Sequence, residues 1–406
     1  MKILVVCQHY RPEPYQLSDI CEALAARGHD VTVVTGMPNY PMGELYPGYE
    51  DGRSRDEELN GVHVHRCALI PRKRNPVSRF FNYYSFVHSS CRYIDTLPDD
   101  FDAVYCHQSS PVMMAEAGLR YARKYHKPSV LYCMDLWPDS LSAGGIQPGN
   151  PIYQYYLGVS RRIYARADQI MLSSKDFTVY FDKVLGLGDK PMIYQPQYAD
   201  AMYDTIPPKQ AESADFHVMF AGNIGAAQSV ETIVEAARIL SGERAITIHI
   251  VGDGIALEQN RTLAHGLKNI VFHGRHPAEE MPAFFAMADA MLVTLRDELP
   301  FSYTMPAKVQ AYMAAGKPII GAVNGETARV IEEARCGVCT PAGDAQELAQ
   351  SILNLSLQPG KLARYGANGR AYYNTYFSKQ AYVEQLEAAL SAPMQDGSVL
   401  REYAMR

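Results

Sequence analysis

The chain has no apolar run of the length that a membrane-crossing helix needs. It opens without a secretory signal, because Met1-Lys2 leads at once into the short strand-like run Ile3-Leu4-Val5-Val6-Cys7. Any membrane contact is therefore expected to be peripheral. No histidine pair has metal-ligand spacing and no Asp-x-Asp closes a strand-like run, so no metal is expected. The 8 cysteines are scattered, and Cys336-Gly337-Val338-Cys339 lacks the second pair that a zinc site requires. They read as the reduced thiols of a cytosolic chain. A net charge of −6 argues against wholesale binding of nucleic acid. Short-period repeats and low-complexity tracts are missing as well.

What is present is an ordinary α/β composition, 47% hydrophobic and 20% charged, in 406 residues, which is too long for one core. Strand-like runs at Ile3–Cys7 and Asp30–Thr35 flank a helix ending at Ala26, forming a βαβ unit. Further strands are expected at Val62–Arg66, Ala103–Cys106, Ser129–Cys133 and Gln169–Ser173. Helices are expected at Pro111–His126 and Ile152–Ala167. Gln195-Pro196-Gln197-Tyr198 and the polar run Pro207–Ala214 look like a connector.

A second series follows. Its strands are Phe216–Phe220, Thr247–Val251, Ile270–His273, Ala290–Leu295 and Pro318–Ala322. Its helices are Ser229–Leu240, Leu257–Leu267, Pro277–Met287, Glu326–Glu333, Ala345–Leu355 and Lys379–Ala389. The expected fold class is α/β, with two doubly wound, Rossmann-like domains facing a central cleft. Expected boundaries are 1–198 for an acceptor-binding domain and 199–375 for a donor-binding domain. A helix in 376–406 would pack back toward the first domain.

The segment from Met287 to Ile320 carries the most information. After the strand comes Pro306-Ala307-Lys308, where Pro306 suits the first turn of a helix and Gly316 its left-handed end. Lys308, one turn inside that helix, fits a phosphate or diphosphate, which the helix N-terminus also attracts. Taken alone, the segment could equally be a plain packing unit. Yet small-residue turns also follow the other strands: Gly222-Asn223-Ile224-Gly225 with Gln228, then Gly252-Asp253-Gly254, then Gly274-Arg275. One such turn is commonly structural, whereas four at successive strand ends point to a ligand edge.

These motifs resemble the family 4 retaining glycosyltransferases of the two-domain GT-B fold. The likeness rests on Phe220–Gly225, Val251–Gly254, Phe272–Arg275, Ala288-Asp289-Ala290 and Pro306–Pro318. In the first half Arg27–Val31 and Thr35–Pro41 agree with it. Asp135-Leu136-Trp137-Pro138-Asp139-Ser140 and the Asn223–Gln228 segment are similar to the WbuB-like subgroup of bacterial surface-polysaccharide transferases. Members of that subgroup include ones using N-acetyl-L-fucosamine. The resemblance implies transfer, with retention and without a metal or other cofactor, from a nucleotide diphosphate sugar, expected to be UDP-linked. The implied acceptor is a lipid-linked glycan on polyprenyl diphosphate, for O-antigen or capsule. The implied location is the inner face of the plasma membrane, in peripheral contact with anionic lipid.

The pattern departs from the family in two places. Its Glu-x7-Glu pair is replaced by Tyr303 and Ala311, and Gln228 stands where many relatives have a diphosphate-binding lysine. Ribose and phosphate contacts are then expected from Lys308, Asn223 and backbone amides, with Gln310 or Glu326 near the ribose. Arg275 or Arg296 could add charge. In the first half, His107 and Asp135 follow strands, and His9, Arg11, Glu13 and Gln16 occupy the loop after the first strand. His107 would position the sugar or stay a neutral structural imidazole. Asp135 would bind a sugar hydroxyl, orient the acceptor, or cap a helix. The loop residues would hold the acceptor.

Arg72-Lys73-Arg74, followed by Arg79-Phe80-Phe81-Asn82-Tyr83-Tyr84-Ser85-Phe86, suits an anionic membrane surface. It also suits a core-facing helix behind a solvated basic loop. Two rivals to the transferase remain at this level: a nucleotide-sugar 2-epimerase of the same fold, and a non-catalytic nucleotide-sugar-binding subunit.

Overall fold

Short apolar strands, most of them buried on both faces, build two separate sheets that are parallel but for one edge pair. The computed structural model describes residues 1–73, 75–207, 215–243 and 245–392. It divides the chain into two units. The first comprises Met1–Ser173, Phe177–Gln195 and the chain from Val383, and the second comprises Ser174–Asp176 and Pro196–Tyr382.

The first unit contains β1 (Lys2–Val6), β2 (Asp30–Gly36), β3 (Arg55–Leu59), β4 (Val62–Cys67), β5 (Ala103–Gln108), β6 (Ser129–Cys133), β7 (Gln169–Leu172) and β8 (Met192–Tyr194). Their order in the sheet is β3-β4-β2-β1-β5-β6-β7-β8. All neighbours are parallel except β3 with β4. That antiparallel edge was not expected, although Asn60-Gly61 signals it. Both residues have positive φ, as a tight two-residue hairpin turn demands, and Leu59 pairs with Val62 across it. The strand order reverses between β1 and β5. Loops leaving the carboxyl ends of those two strands therefore diverge and open a crevice.

The expected helix Pro111–His126 is a short 3-10 turn, Val112–Ala115, running into helix Glu116–Tyr125. Helix Pro76–Thr96, with Asn75 accepting the Ser78 N–H at 2.7 Å, carries Arg79 and the aromatic part of the basic–aromatic run, and Arg72 and Lys73 precede it. The core-facing reading holds for part of that helix. Tyr83 and Phe86 are buried in the core, whereas Phe80 and Phe81 are exposed. Arg74 lies outside the described residues. From Val383 onward the last helix, Lys379–Ser391, packs on this unit. There Glu387 accepts from Arg27 and His29, each at 2.7 Å.

The second unit contains β9 (Phe216–Ala221), β10 (Ile246–Val251), β11 (Ile270–Gly274), β12 (Ala290–Thr294), β13 (Ile319–Ala322) and β14 (Gly337–Thr340). It is parallel throughout, in the order β11-β10-β9-β12-β13-β14, which reverses between β9 and β12. Val218 and Phe220 of β9 and Ile246, Ile248 and Ile250 of β10 point to one face. There they pack against Val230, Ile233, Val234 and Ala237 of helix Val230–Ile239. Strand β14, which takes in Cys339, and helix Pro359–Tyr376 were not anticipated. Most of the expected polar connector, residues 208–214, lies outside the described residues. No helix among the described residues is long and apolar enough to cross a membrane.

Candidate functional site

In the second unit three glycine-bearing loops leave the adjacent strands β11, β10 and β9 at their carboxyl ends, and the loop that leads to Lys308 leaves β12 beside them. Backbone hydrogen bonds lace them together. Gly252 N–H donates to the Gly274 carbonyl at 2.8 Å, Ile224 N–H to Asp253 at 2.8 Å, and Arg296 N–H to Ala227 at 3.0 Å. The close approach explains part of the glycine pattern. A Cβ on Gly252 (φ +138°) would lie 1.9 Å from the Gly222 carbonyl oxygen, and one on Gly254 would lie 2.3 Å from that of Ile224. Those two glycines are needed for loop packing as such.

Gly222 answers to a different neighbour. Its φ is +139°, and a Cβ there would stand 3.1 Å from the Lys308 ammonium. Lys308 belongs to helix Ala307–Ala314, with Pro306 at the N-cap position rather than inside the first turn. One turn on, the Tyr312 hydroxyl accepts from Ala221 N–H at 3.1 Å and lies 3.2 Å from its carbonyl oxygen. The i, i+4 spacing puts both side chains on the helix face that meets the end of β9. The lysine stem is partly exposed, but the ammonium is enclosed, 3.5 Å above the centre of the buried Phe220 ring. It makes no hydrogen bond or ion pair among the described residues. Burial lowers it to about 7. An enclosed cation over an aromatic face, with no counter-charge among the described residues, is electrostatically complementary to an anion.

Other expected donor contacts surround this centre in various states. Asn223 is exposed, and Gln228 turns into its own loop, its Oε1 3.2 Å from the Gly225 N–H and 3.4 Å from Asn223 Nδ2. Asp253 is exposed and accepts from the Gly254 N–H at 2.7 Å. Arg275, after Gly274, is also exposed. Gln310 is buried, and its amide, in the orientation that satisfies its surroundings, donates to the carbonyls of Pro306 and Ala307. Glu326 is fully buried, ion-paired with Arg329 and accepting from the Lys175 N–H at 3.3 Å. Arg329 also holds Asp176 at 2.8 Å. Phe220 and Tyr312 are additions that sequence reading missed; the four-residue spacing of Lys308 and Tyr312 was the available signal.

In the first unit His9 follows β1 and His107 lies near the end of β5, the two strands between which the sheet order reverses. Glu13 is buried and accepts the backbone N–H of Tyr10 (3.3 Å), Asn39 (2.9 Å) and Tyr40 (2.7 Å), with His9 Nδ1 at 3.1 Å. It thereby ties the loop after β1 to the loop after β2 and fixes the His9 ring. That ring stacks on Tyr15 (4.9 Å, 5°) and lies beside Tyr40, and its Nε2 has no hydrogen-bond partner among the described residues. Arg11 pairs with Glu22 at 3.2 Å, and Gln16 caps helix Leu17–Ala26.

His107 sits on β5 itself, with the Tyr105 hydroxyl 2.9 Å from Nδ1, and burial pushes the imidazole down to about 3. It is neutral at physiological pH. Asp135, two residues past β6, is exposed by area, yet the protein crowding its carboxyl raises it to about 6 by desolvation. Burial raises the Tyr15 phenol, with Tyr40, Glu13 and Asp135 acting in the same direction and Arg72 against them. These groups share one electrostatic neighbourhood. Tyr15, Tyr40 and Arg72 had not been singled out for it from sequence.

A family model described as "Glycosyl transferase 4-like domain" matches residues 15–192, and one described as "Glycosyl transferases group 1" matches residues 215–358. A relative from Escherichia coli K12, named for a glycosyl transferase of colanic acid biosynthesis, WcaI, is 27% identical over 351 residues. That alignment spans 78% of this chain and 82% of the relative. Among solved structures, a sucrose-phosphate synthase from Thermosynechococcus elongatus superposes with a TM-score of 0.74 at 17% identity, over 96% of this chain and 98% of its own. Anabaena Alr3699/HepE, in complex with UDP and glucose, gives 0.69 at 18% identity over 97% and 100%. At these identities the likeness is one of fold, and that fold is GT-B.

Proposed function

We propose that this chain, which belongs to the glycosyltransferases joining a 4-like domain to a group 1 domain, takes its sugar from a nucleoside diphosphate held by the loops around Lys308. The chain serves surface-polysaccharide biosynthesis, the setting for which the WcaI relative is named. The finer reading is a UDP-linked N-acetyl-deoxyhexosamine such as N-acetyl-L-fucosamine, transferred with retention to a polyprenyl-diphosphate glycan at the inner membrane face, as in the WbuB-like subgroup. UDP as the nucleotide is supported by the Alr3699/HepE complex with UDP and glucose. The observation that carries the reading is the enclosed, unpartnered Lys308 ammonium.

Charge develops on the leaving diphosphate in the transition state, and a preorganised cation stabilises it there more than in the ground state. Lys308 supplies that cation, and the N-terminus of its helix adds a partial positive charge. In a front-face, retaining transfer the leaving phosphate oxygen can accept the acceptor's proton, which makes a protein base dispensable. Neutral His107 then donates or accepts a hydrogen bond to the sugar, and Asp135 orients a hydroxyl. A thermal-shift panel of UDP, GDP, dTDP and CMP, followed by turnover with and without EDTA, tests the reading. UDP is expected to stabilise most, and turnover is expected to survive chelation. Equal response to all four nucleotides would defeat the base assignment, and loss of turnover in EDTA the metal-independent one.

A further inference from the structure

Three histidines of the second unit stand in single file on the sheet face turned away from helix Val230–Ile239. Val218 and Phe220 of β9, with Ile248 and Ile250 of β10, pack toward that helix, so the alternate positions His217 and His249 point the other way. His273 of β11 completes the file. His217 Nδ1 lies 3.0 Å from His249 Nε2, and His249 Nδ1 lies 2.9 Å from His273 Nε2. The central ring is buried and the outer two are half-buried. Other titratable groups meet the file at its ends. His276, paired with Glu280 at 2.7 Å, shares the Phe284 ring of helix Met281–Met287 with His273. Asp289, before β12, accepts the backbone N–H of His217 at 2.9 Å. Among the described residues no carboxylate is hydrogen-bonded to any of the three rings.

Proton counting fixes what such a file can hold. A neutral imidazole carries one N–H and one lone pair, and each link between rings needs one proton shared by two nitrogens. Three neutral rings therefore supply both links. One added proton goes to an outer nitrogen, or makes the central ring a donor in both directions, and both links survive. A second added proton sets N–H against N–H at one link, and that link breaks. Burial, with the charges of His273 and His217, lowers His249 to about 4, and burial with the charge of His276 lowers His273. The file is accordingly neutral at pH 7 and loads only in acid.

The far end of the file adjoins the loops proposed to hold the donor. Ile250 pairs with Phe272 and Val251 with Gly274, so His273 is the extra residue of a β-bulge. The bulge turns the chain into Gly274 (φ +78°), whose carbonyl accepts the Gly252 N–H at 2.8 Å. Gly252 in turn abuts the Gly222 carbonyl, beside the Lys308 ammonium. We infer that His249 and His273 are positioning residues for these loops, bracing the bulge through a link that one added proton preserves and a second destroys. The inference rests on the donor reading for its effect on binding, and on the file alone for its effect on the loops. Acid then loosens the contact between Gly274 and Gly252 and weakens donor affinity. Rings that merely fill space would give neither effect.

Two measurements on the full chain test this. Without ligand, hydrogen exchange at the Gly252 amide, corrected for its intrinsic rate, should show protection falling about tenfold between pH 6.5 and pH 5. With ligand, calorimetry should show the Kd of UDP-glucose, whose diphosphate diester does not titrate in that range, rising about fivefold over the same interval. His273→Leu, at the half-buried end of the file, should have weak Gly252 protection and a raised Kd already at pH 6.5, with neither changing toward pH 5. His249→Gln keeps a donor and an acceptor at the centre, and should restore most of the parent's protection at pH 6.5. Near-ultraviolet circular dichroism matching the parent shows that the variants fold. A parent whose Gly252 protection is unchanged down to pH 5 overturns the inference, whatever the variants do. So does a His273→Leu protein that follows the parent's acid profile. Failure of UDP-glucose to bind any form would sink the donor reading while leaving the exchange result standing.

Discussion

Replacing Lys308 with methionine should stabilise the empty protein and abolish its response to UDP. The lysine ammonium, ordinarily near 10.5, is lowered to about 7 by burial over Phe220 with no counter-charge. Between those two pH values the unfolded chain binds more protons than the folded one, so stability rises with pH across that window, by roughly 1.4 kcal/mol per pH unit. Conversely, at pH 6.5 the buried charge destabilises the fold by at most about 5 kcal/mol. Methionine fits a similar volume without charge, and is expected to recover on the order of 2–3 kcal/mol after local relaxation. For a chain of 406 residues unfolding in one step that is a rise of about 2–4 °C in melting temperature.

UDP acts in the opposite sense. A diphosphate restores the ammonium toward its ordinary value, so its binding takes up a proton above pH 7. Affinity should fall about tenfold per pH unit from there. The assay is thermal unfolding of both proteins at pH 6.5, 8 and 9.5, with and without UDP. The wild type should show its largest UDP shift at pH 6.5 and almost none at pH 9.5. The methionine variant should show none at any pH, with its stability advantage shrinking as pH rises. A variant that melts at or below the wild type at pH 6.5, or still responds to UDP, would refute the reasoning.

Gly222→Ala should cost about 1–3 kcal/mol for its backbone strain and push aside the ammonium 3.1 Å from the new methyl, so UDP affinity should drop in calorimetry without loss of fold. His107, pushed down to about 3, stays neutral where the unfolded chain's imidazole protonates. Its contribution to stability is therefore lost as pH falls below about 6.5, by roughly 1.4 kcal/mol per pH unit, and His107→Phe should flatten the acid limb of a denaturation profile. Asp135→Asn should lower turnover far more than the UDP melting shift, and should remove the acid limb expected of the parent near pH 6. Glu13→Ala strips three backbone N–H groups of their acceptor and should lower the melting temperature sharply, by an amount on the order of 3 kcal/mol or more.

Several local features were fully legible. Gly316, with φ +63°, ends the Lys308 helix as its sequence suggests; the strand Ser129–Cys133 falls where its apolar run puts it, and the one expected at Phe216–Phe220 runs one residue further, to Ala221. The Asn60-Gly61 hairpin was equally legible, because Asn-Gly is the residue pair that a two-residue hairpin turn demands, and it marks an antiparallel edge on an otherwise parallel sheet. Glycine was the ambiguous signal. Gly252, Gly254 and Gly222 look alike in one dimension, yet the first two make room for neighbouring carbonyls and the third for the Lys308 ammonium. Likewise, Glu13 looked like one polar loop residue among four, and nothing in its spacing showed that it binds the N–H groups of Asn39 and Tyr40 from the next crossover.

The sequence by itself determined the two α/β units, the carboxyl-end loops that carry their polar residues, and Lys308 as the candidate phosphate cation. Those properties follow from periodicity, turn chemistry and residue type, all of them local along the chain. Tertiary structure alone decided which charges are paired and which are left without a partner. Arg66 and Arg72 are both arginines near the same strand end, but only the fold gives one a glutamate and the other two tyrosine rings. Burial and counter-charge are set by residues distant in sequence, and they, not composition, determine whether a cation awaits a ligand.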